Sequence, residues 1–238
     1  MSGHSKWANI KHRKSAQDAK RGKLFTRLGK EITIAAKEGG GELDSNFRLR
    51  TLVDKARAAN MPADNIQRSI KRGTGELPGV SYEEQIYEGY GPEGVAILIE
   101  CLTDNKNRTV SEVRHVFSAN SGHMAEAGSV SWMFEKKGVI RINTENLTED
   151  DLLEQLLDFD IADIEVENGT ATIVVVTKQL EQVKKVLTDS GHTIESADVE
   201  FVAKTLMDLP ENKQQKVVAF LEKFEELDDV QNVYTNLK

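Results

Sequence analysis

The chain has 238 residues, 39% hydrophobic and 29% charged, with a formal net charge of −8. That is enough apolar material for one to three packed domains and excludes a wholly disordered chain. The single cysteine, Cys101, excludes an intrachain disulfide framework and a cysteine-based zinc site, and its place in an apolar run marks it as a core residue. No apolar stretch approaches the ~18 residues of a membrane span, and the first residues lack the apolar centre of a secretory signal, so a cytoplasmic protein with no membrane partner is expected.

The charge is unevenly placed. Residues 1–75 carry 17 Lys and Arg against 7 Asp and Glu, whereas residues 76–238 carry 14 against 32. The densest stretch holds Lys6, Lys11, Arg13, Lys14, Lys20, Arg21, Lys23, Arg27 and Lys30, opposed only by Asp18, with Trp7 among the bases. So basic a segment repels itself unless it meets a polyanion, and nucleic acid is the expected partner. A solvated tail is the plain alternative. The acidic remainder should orient binding, with the N-terminal part facing the ligand. Trp7 is expected either to stack on a base or to fold back on the helices.

A helix is predicted over 15–38. Leu24, Phe25, Leu28, Ile32 and Ala35 recur at helical spacing, and Lys20, Lys23, Arg27, Lys30 and Lys37 fall about half a turn away. One face would pack on a core while the other follows a phosphate backbone. The partition is imperfect, since Ile34 falls near the basic side and Arg21 near the apolar one. Gly39-Gly-Gly41 ends this helix. Asp44 or Ser45 is expected to cap a second, with Phe47, Leu49, Leu52, Val53 and Ala56 as its apolar positions. Asn60-Met-Pro62 breaks it, and a third helix carries Ile66 and Ile70 to Gly73 and Gly75. Arg68, Lys71 and Arg72 lie near its last turn, where helix-dipole pairing and phosphate contact explain them equally well. The three helices read as a small bundle.

After 76–79 the pattern changes to strands and helices. Residues 82–90 and 95–103 read as strands around the turn Gly91-Pro-Glu-Gly94. Thr109 with Glu112 is expected to cap the next helix. The stretch 118–128 reads as a loop and a second candidate contact, through Asn120, Gly122, His123 and Met124. Residues 129–134 are expected to be a strand. From 138 to 203 the order is strand, helix, strand, strand, helix, strand, the ferredoxin-like order, with Thr148 and Asp151 as a capping box and Asn168-Gly169 as a hairpin turn. A helix over 211–227 and a strand over 230–234 close the chain. The fold class is therefore α+β: a basic helical domain over 1–78, an α/β domain made of 79–134 plus 207–238, and a ferredoxin-like α/β domain over 135–206 inserted in it.

No chemistry-bearing constellation emerges. The five histidines have no partners at metal-ligand spacing, the glycine-rich turn lacks a P-loop lysine, and no nucleophile–base set can be assembled. No catalytic residue, metal or cofactor is expected.

Several motifs carry a resemblance. They are Gly3-His-Ser-Lys-Trp-Ala-Asn-Ile-Lys-His-Arg-Lys14, Lys20-Arg-Gly-Lys-Leu-Phe25, Lys55-Ala-Arg-Ala-Ala-Asn-Met-Pro62, Tyr87-Glu-Gly-Tyr-Gly-Pro92, Leu102-Thr-Asp-Asn105, Ser111-Glu-Val-Arg-His115 and Gly128-Ser-Val-Ser-Trp-Met-Phe134. They resemble the YebC/PmpR family, and the resemblance covers the whole chain. The resemblance implies the same three-domain order and a non-enzymatic regulator. Many members are named DNA-binding transcriptional regulators. A mitochondrial relative activates translation of cytochrome oxidase subunit I, and some bacterial relatives are described as ribosome-associated. Three readings follow: a DNA-binding transcriptional regulator first, a ribosome-associated translation factor binding ribosomal RNA second, and a protein–protein adaptor third. No helix-turn-helix is recognisable in the sequence, so a promoter preference below about a hundredfold is expected. The oligomeric state is left open, a monomer included.

Overall fold

A computed structural model of the chain describes residues 18–79, 81–144, 147–167 and 169–238, with side chains described from residue 22 onward in the first helix. Three helices come first: α1 (Asp18–Gly39), α2 (Phe47–Ala58) and α3 (Ala63–Gly73). Leu28, Ile32, Ala35 and Ala36 of α1 meet Leu49, Leu52, Val53 and Ala56 of α2 and Ile66 and Ile70 of α3 in one buried cluster. Gly40, at φ +83, reverses the chain after α1. The cap of α2 is Asn46 rather than Asp44 or Ser45. Its Oδ1 accepts from the Leu49 amide at 3.0 Å, while its Nδ2 donates to the Ala35 and Gly40 carbonyls, both at 2.8 Å. Only an amide side chain serves both helix ends at once, because a carboxylate cannot donate. Of the apolar positions of α2, Phe47 is 53% exposed, with the Arg50 guanidinium over its ring.

The first sheet has four antiparallel strands, β1 (Glu83–Tyr90), β2 (Ala96–Thr103), β3 (His123–Ala125) and β8 (Val230–Thr235), in the order β3-β1-β2-β8. Strand β2 has no polar alternation because both its faces are covered. Ile97, Ile99 and Cys101 pack under α4 (Lys106–Ala119) and α7 (Glu211–Glu225), where Phe117, Phe220 and Phe224 meet edge to face. Ala96 and Leu98 turn the other way and pack with Val130 and Phe134. Burial pushes the Cys101 thiol up to about 12, reinforced by the nearby Asp229 charge, so it is an inert core residue. Helix α4 is capped by Asn105, which accepts from the Arg108 amide, and not by Thr109. Thr109 lies a turn further in and is fully buried. Of the strand expected over 129–134, only Phe134 is in a strand, as the first residue of the next one. A single 3-10 turn, Ser131–Met133, precedes the next strand.

The second sheet holds β4 (Phe134–Asn143), β5 (Ile161–Glu167), β6 (Thr170–Val175) and β7 (Ile194–Ala203), in the order β5-β6-β4-β7 with every neighbour antiparallel. Helix α5 (Glu149–Gln155) and helix α6 (Leu180–Asp189) cover one face. With β4, α5, β5, β6, α6 and β7 in chain order, this is the ferredoxin-like arrangement. The Thr148–Asp151 capping box is present. Leu152 of α5 is buried, whereas Leu153 beside it and Leu157 beyond its end are exposed. Ile140 and Ile142 face the core, so Arg141 between them points to the opposite face, where it holds Glu200 in two hydrogen bonds of 2.6 and 3.0 Å. Strand β8, after α7, rejoins the first sheet.

Candidate nucleic-acid interface

The cations of α1 are expected from the sequence to line an open face. Lys6, Trp7, Lys11, Arg13 and Lys14 lie outside the described residues, and Lys20 and Arg21 are placed in α1 without described side chains. The remaining positions depart from expectation. Lys30 is 8% exposed, and its Nζ donates to Asp229 Oδ1 at 2.8 Å, to the Asp228 carbonyl at 3.0 Å and to the Leu102 carbonyl at 3.3 Å. Arg27 is half-buried and donates to the Glu225 carbonyl at 3.1 Å. Lys23 is half-buried too, and burial together with the Arg27 charge holds its ammonium below its ordinary value. The physical reason is the acidic turn between α7 and β8, which takes the place against this face that a phosphate backbone was expected to fill. Lys30 and Arg27 are therefore docking groups within the protein and not surface cations. Two signals in the sequence point to this: Ile34 on the basic side of the helix, 5% exposed in the fold, and the Asp228-Asp229 pair far along the chain.

Asp229 is enclosed by donors. Its Oδ1 takes Lys30, and its Oδ2 lies 2.7 Å from Arg108 Nη2, 2.7 Å from Thr109 Oγ1 and 3.0 Å from Thr103 Oγ1. Burial alone would raise its pKa, but hydrogen bonds from Lys30, Arg108 and Thr109 outweigh it and hold the carboxyl far below the usual carboxylate range. Arg108 also pairs with Asp104 at 2.7 Å. The Leu102-Thr-Asp-Asn105 motif thus supplies this node and the cap of α4. Further cations of the helices serve as ties: Lys55 pairs with Asp198 on β7, and Arg48 pairs with Glu84 on β1 at 2.7 Å. Glu31, on the same side, has its carboxyl pushed up by burial, against the opposing charges of Lys55 and Arg48.

Arg50 on α2 is exposed with only the Leu43 carbonyl and the Phe47 ring beside it, and a longer open row lies on α3. Ile66, Ser69 and Ile70 face inward, and Gln67, Arg68, Lys71 and Arg72 are exposed. Helices α2 and α3 are joined by residues 59–62, with Asn60 left-handed at φ 60. Lys37 is exposed as well, with its Nζ 2.7 Å from Ser81 Oγ.

The second candidate contact is more ordered than a loop. Asn120 ends α4, with its Nδ2 donating to the Val116 carbonyl at 2.7 Å. Gly122 leaves no room for a Cβ, which would lie 2.9 Å from the Tyr90 carbonyl. His123 and Met124 belong to β3 and pair with Tyr90 and Gly89. Met124 packs against the core, whereas His123 is exposed. Among the described residues, no group of three or more His, Cys, Asp or Glu is arranged to hold a metal, and no helix is long and apolar enough to cross a membrane.

Comparison with known proteins accounts for nearly the whole chain. A model of the TACO1/YebC N-terminal domain matches residues 5–76, and a model of the TACO1/YebC second and third domain matches residues 82–237. A relative from Thermotoga petrophila is 51% identical over 239 residues, covering 100% of this chain and 94% of its own length. One from Dictyoglomus turgidum is 49% identical over 237 residues, covering 99% and 95%. Both are named probable transcriptional regulatory protein. The crystal structure of a conserved hypothetical protein from Aquifex aeolicus superposes with a TM-score of 0.88 at 43% identity, covering 98% of this chain and 97% of that one. This chain belongs to the TACO1/YebC family.

Proposed function

We propose that the protein is a non-enzymatic, cytoplasmic regulator that binds DNA through its N-terminal helices and acts on transcription. The observation that carries this reading is the exposed row Arg68, Lys71 and Arg72 on α3, left open while neighbouring cations are matched to acids inside the molecule. The naming of the relatives supports it. So does the four-residue connection between α2 and α3, a length used in helix-turn-helix units. Lys6, Trp7, Lys11, Arg13, Lys14, Lys20 and Arg21 are further contacts in this reading, on the charge of their segment alone. Arg27 and Lys30 are excluded from it. Asn120 and His123 form a second contact. The division into 1–78, 79–134 with 207–238, and 135–206 belongs to the same proposal, supported by separate hydrophobic clusters for the helices and for the helix-covered face of each sheet.

Binding of this kind is dominated by phosphate neutralisation and by duplex shape, so it weakens steeply with salt and discriminates promoters modestly, below about a hundredfold. The test is crosslinking in cells followed by sequencing of both the DNA and the RNA recovered. Enrichment of promoter DNA supports the reading. Recovery of ribosomal RNA without DNA replaces it with that of a ribosome-associated translation factor.

A further inference from the structure

The turn that leads into β4 is pinned from beneath. Glu88, on β1 and 6% exposed, accepts from the backbone amides of Gly128 at 2.8 Å, Val130 at 2.6 Å and Ser131 at 2.8 Å. Burial alone would raise its pKa, but these hydrogen bonds hold it below its ordinary value. The Ser129 carbonyl in the same turn accepts from the Tyr90 hydroxyl at 3.1 Å and from Trp132 Nε1 at 3.0 Å. The His123 ring lies 5.4 Å from that of Tyr90. Trp132 is nevertheless 66% exposed. The loop that carries it is tied to a buried carboxylate, and the ring is fixed by its own N–H.

That N–H is the only polar handle an indole has. It is spent on Ser129, so Trp132 has no donor left to read a ligand's edge and offers only its π-face. The surroundings select what meets that face. Lys204 Nζ donates to the Trp132 carbonyl at 2.7 Å. Lys136, two residues along β4 from Phe134, holds its ammonium 4.9 Å from the ring of Phe201, its cross-strand partner. Lys137 is already paired with Glu135. A cationic ligand would be repelled by these lysines, whereas a base attached to phosphates suits both the ring and the ammonium groups. A duplex keeps its base faces stacked inside, so only an unpaired base can use the platform.

We propose that Trp132, held by the turn that Glu88 and Tyr90 pin, is a stacking platform for an unpaired nucleobase, with Lys204 and Lys136 serving the adjoining phosphates. The inference rests on the nucleic-acid reading above but assigns a different surface and a different form of the ligand.

The experiment uses the full chain with Trp7→Phe, which leaves Trp132 as the sole tryptophan. It is titrated with a short oligouridylate, the matching oligothymidylate and a random duplex. Both single strands should quench the indole, and Trp132→Ala, read through the anisotropy of a dye-labelled strand because no indole is left, should weaken them roughly 5- to 150-fold, while duplex affinity stays as it was. Trp132→Phe, which keeps a ring, should retain part of the affinity. Tighter binding of the uridylate assigns the site to RNA, and tighter binding of the thymidylate to single-stranded DNA. Unchanged emission on binding, equal single-strand affinity in Trp132→Ala, or no single-strand binding at all overturns the platform. In that case retained duplex binding leaves the DNA reading standing. Quenching by single strands without duplex binding does the reverse.

Discussion

Lys30 and Arg72 stand on neighbouring helices of one small cluster and carry the same charge, with opposite fates. Lys30 is enclosed by a carboxylate and two carbonyls contributed from residues 102, 228 and 229. Arg72 is exposed on α3. The difference lies at the other end of the chain, where the acidic turn after α7 covers α1 and leaves that face of α3 open. A surplus of cations in one segment therefore has two uses, docking to the acidic remainder of the same molecule and docking to an external polyanion. Only the tertiary partner tells them apart.

The sharpest way to break the comparison is to remove the acid that holds Lys30. Asp229→Ala leaves a buried ammonium without its counter-charge and should cost about 3–5 kcal/mol in urea or thermal unfolding. Substituting Lys30 by Glu would set two carboxylates against each other, so a charge-reversal set on α1 that includes it tests folding before binding.

Acid gives a second, smaller handle. The folded Asp229 carboxyl titrates far below an unfolded one, so its contribution to stability is complete above about pH 4 and is lost as the pH falls toward the folded value. Unfolding midpoints of the parent and of Asp229→Asn should differ most near neutrality and converge below about pH 4. A constant gap across that range would mean that the lowered pKa contributes nothing.

The α3 cations should show the opposite profile. Arg68, Lys71 and Arg72 changed together to Ala should alter stability by less than about 0.5 kcal/mol, as exposed substitutions do. The slope of log affinity for duplex DNA against log salt should nonetheless fall by about two to three, close to one for each phosphate no longer neutralised. An unchanged slope would exclude this face from the interface.

Much of the fold is legible in the sequence because it is written locally. The ferredoxin-like order follows from short alternating runs and a capping box, and the unalternating run before Cys101 already describes a strand covered on both sides. Several misreadings trace to side chains whose partners lie outside their own element. Thr109 has the spacing of a cap, but its hydroxyl goes to Asp229. The run 129–134 is apolar like a strand, but Glu88 collects its amides and curls it into a turn. Asn46 yields to the more familiar Asp and Ser in a local reading because its second role, closing the end of α1, is tertiary. For the site, the basic half is visible, but its division into covered and open cations is not. Ile34 marks which face of α1 is covered, and nothing comparable in the sequence singles out α3.

The Lys30–Asp229 pair has a consequence in time as well as in space. The two residues are 199 apart in the chain. At roughly 5–20 residues per second of synthesis, the carboxylate appears about 10–40 s after the ammonium. Throughout that interval α1 can gather α2 and α3, which follow it closely, but the carboxylate that neutralises Lys30 is not yet made. The pair that joins the helices to the acidic turn is thus among the last contacts the chain can complete.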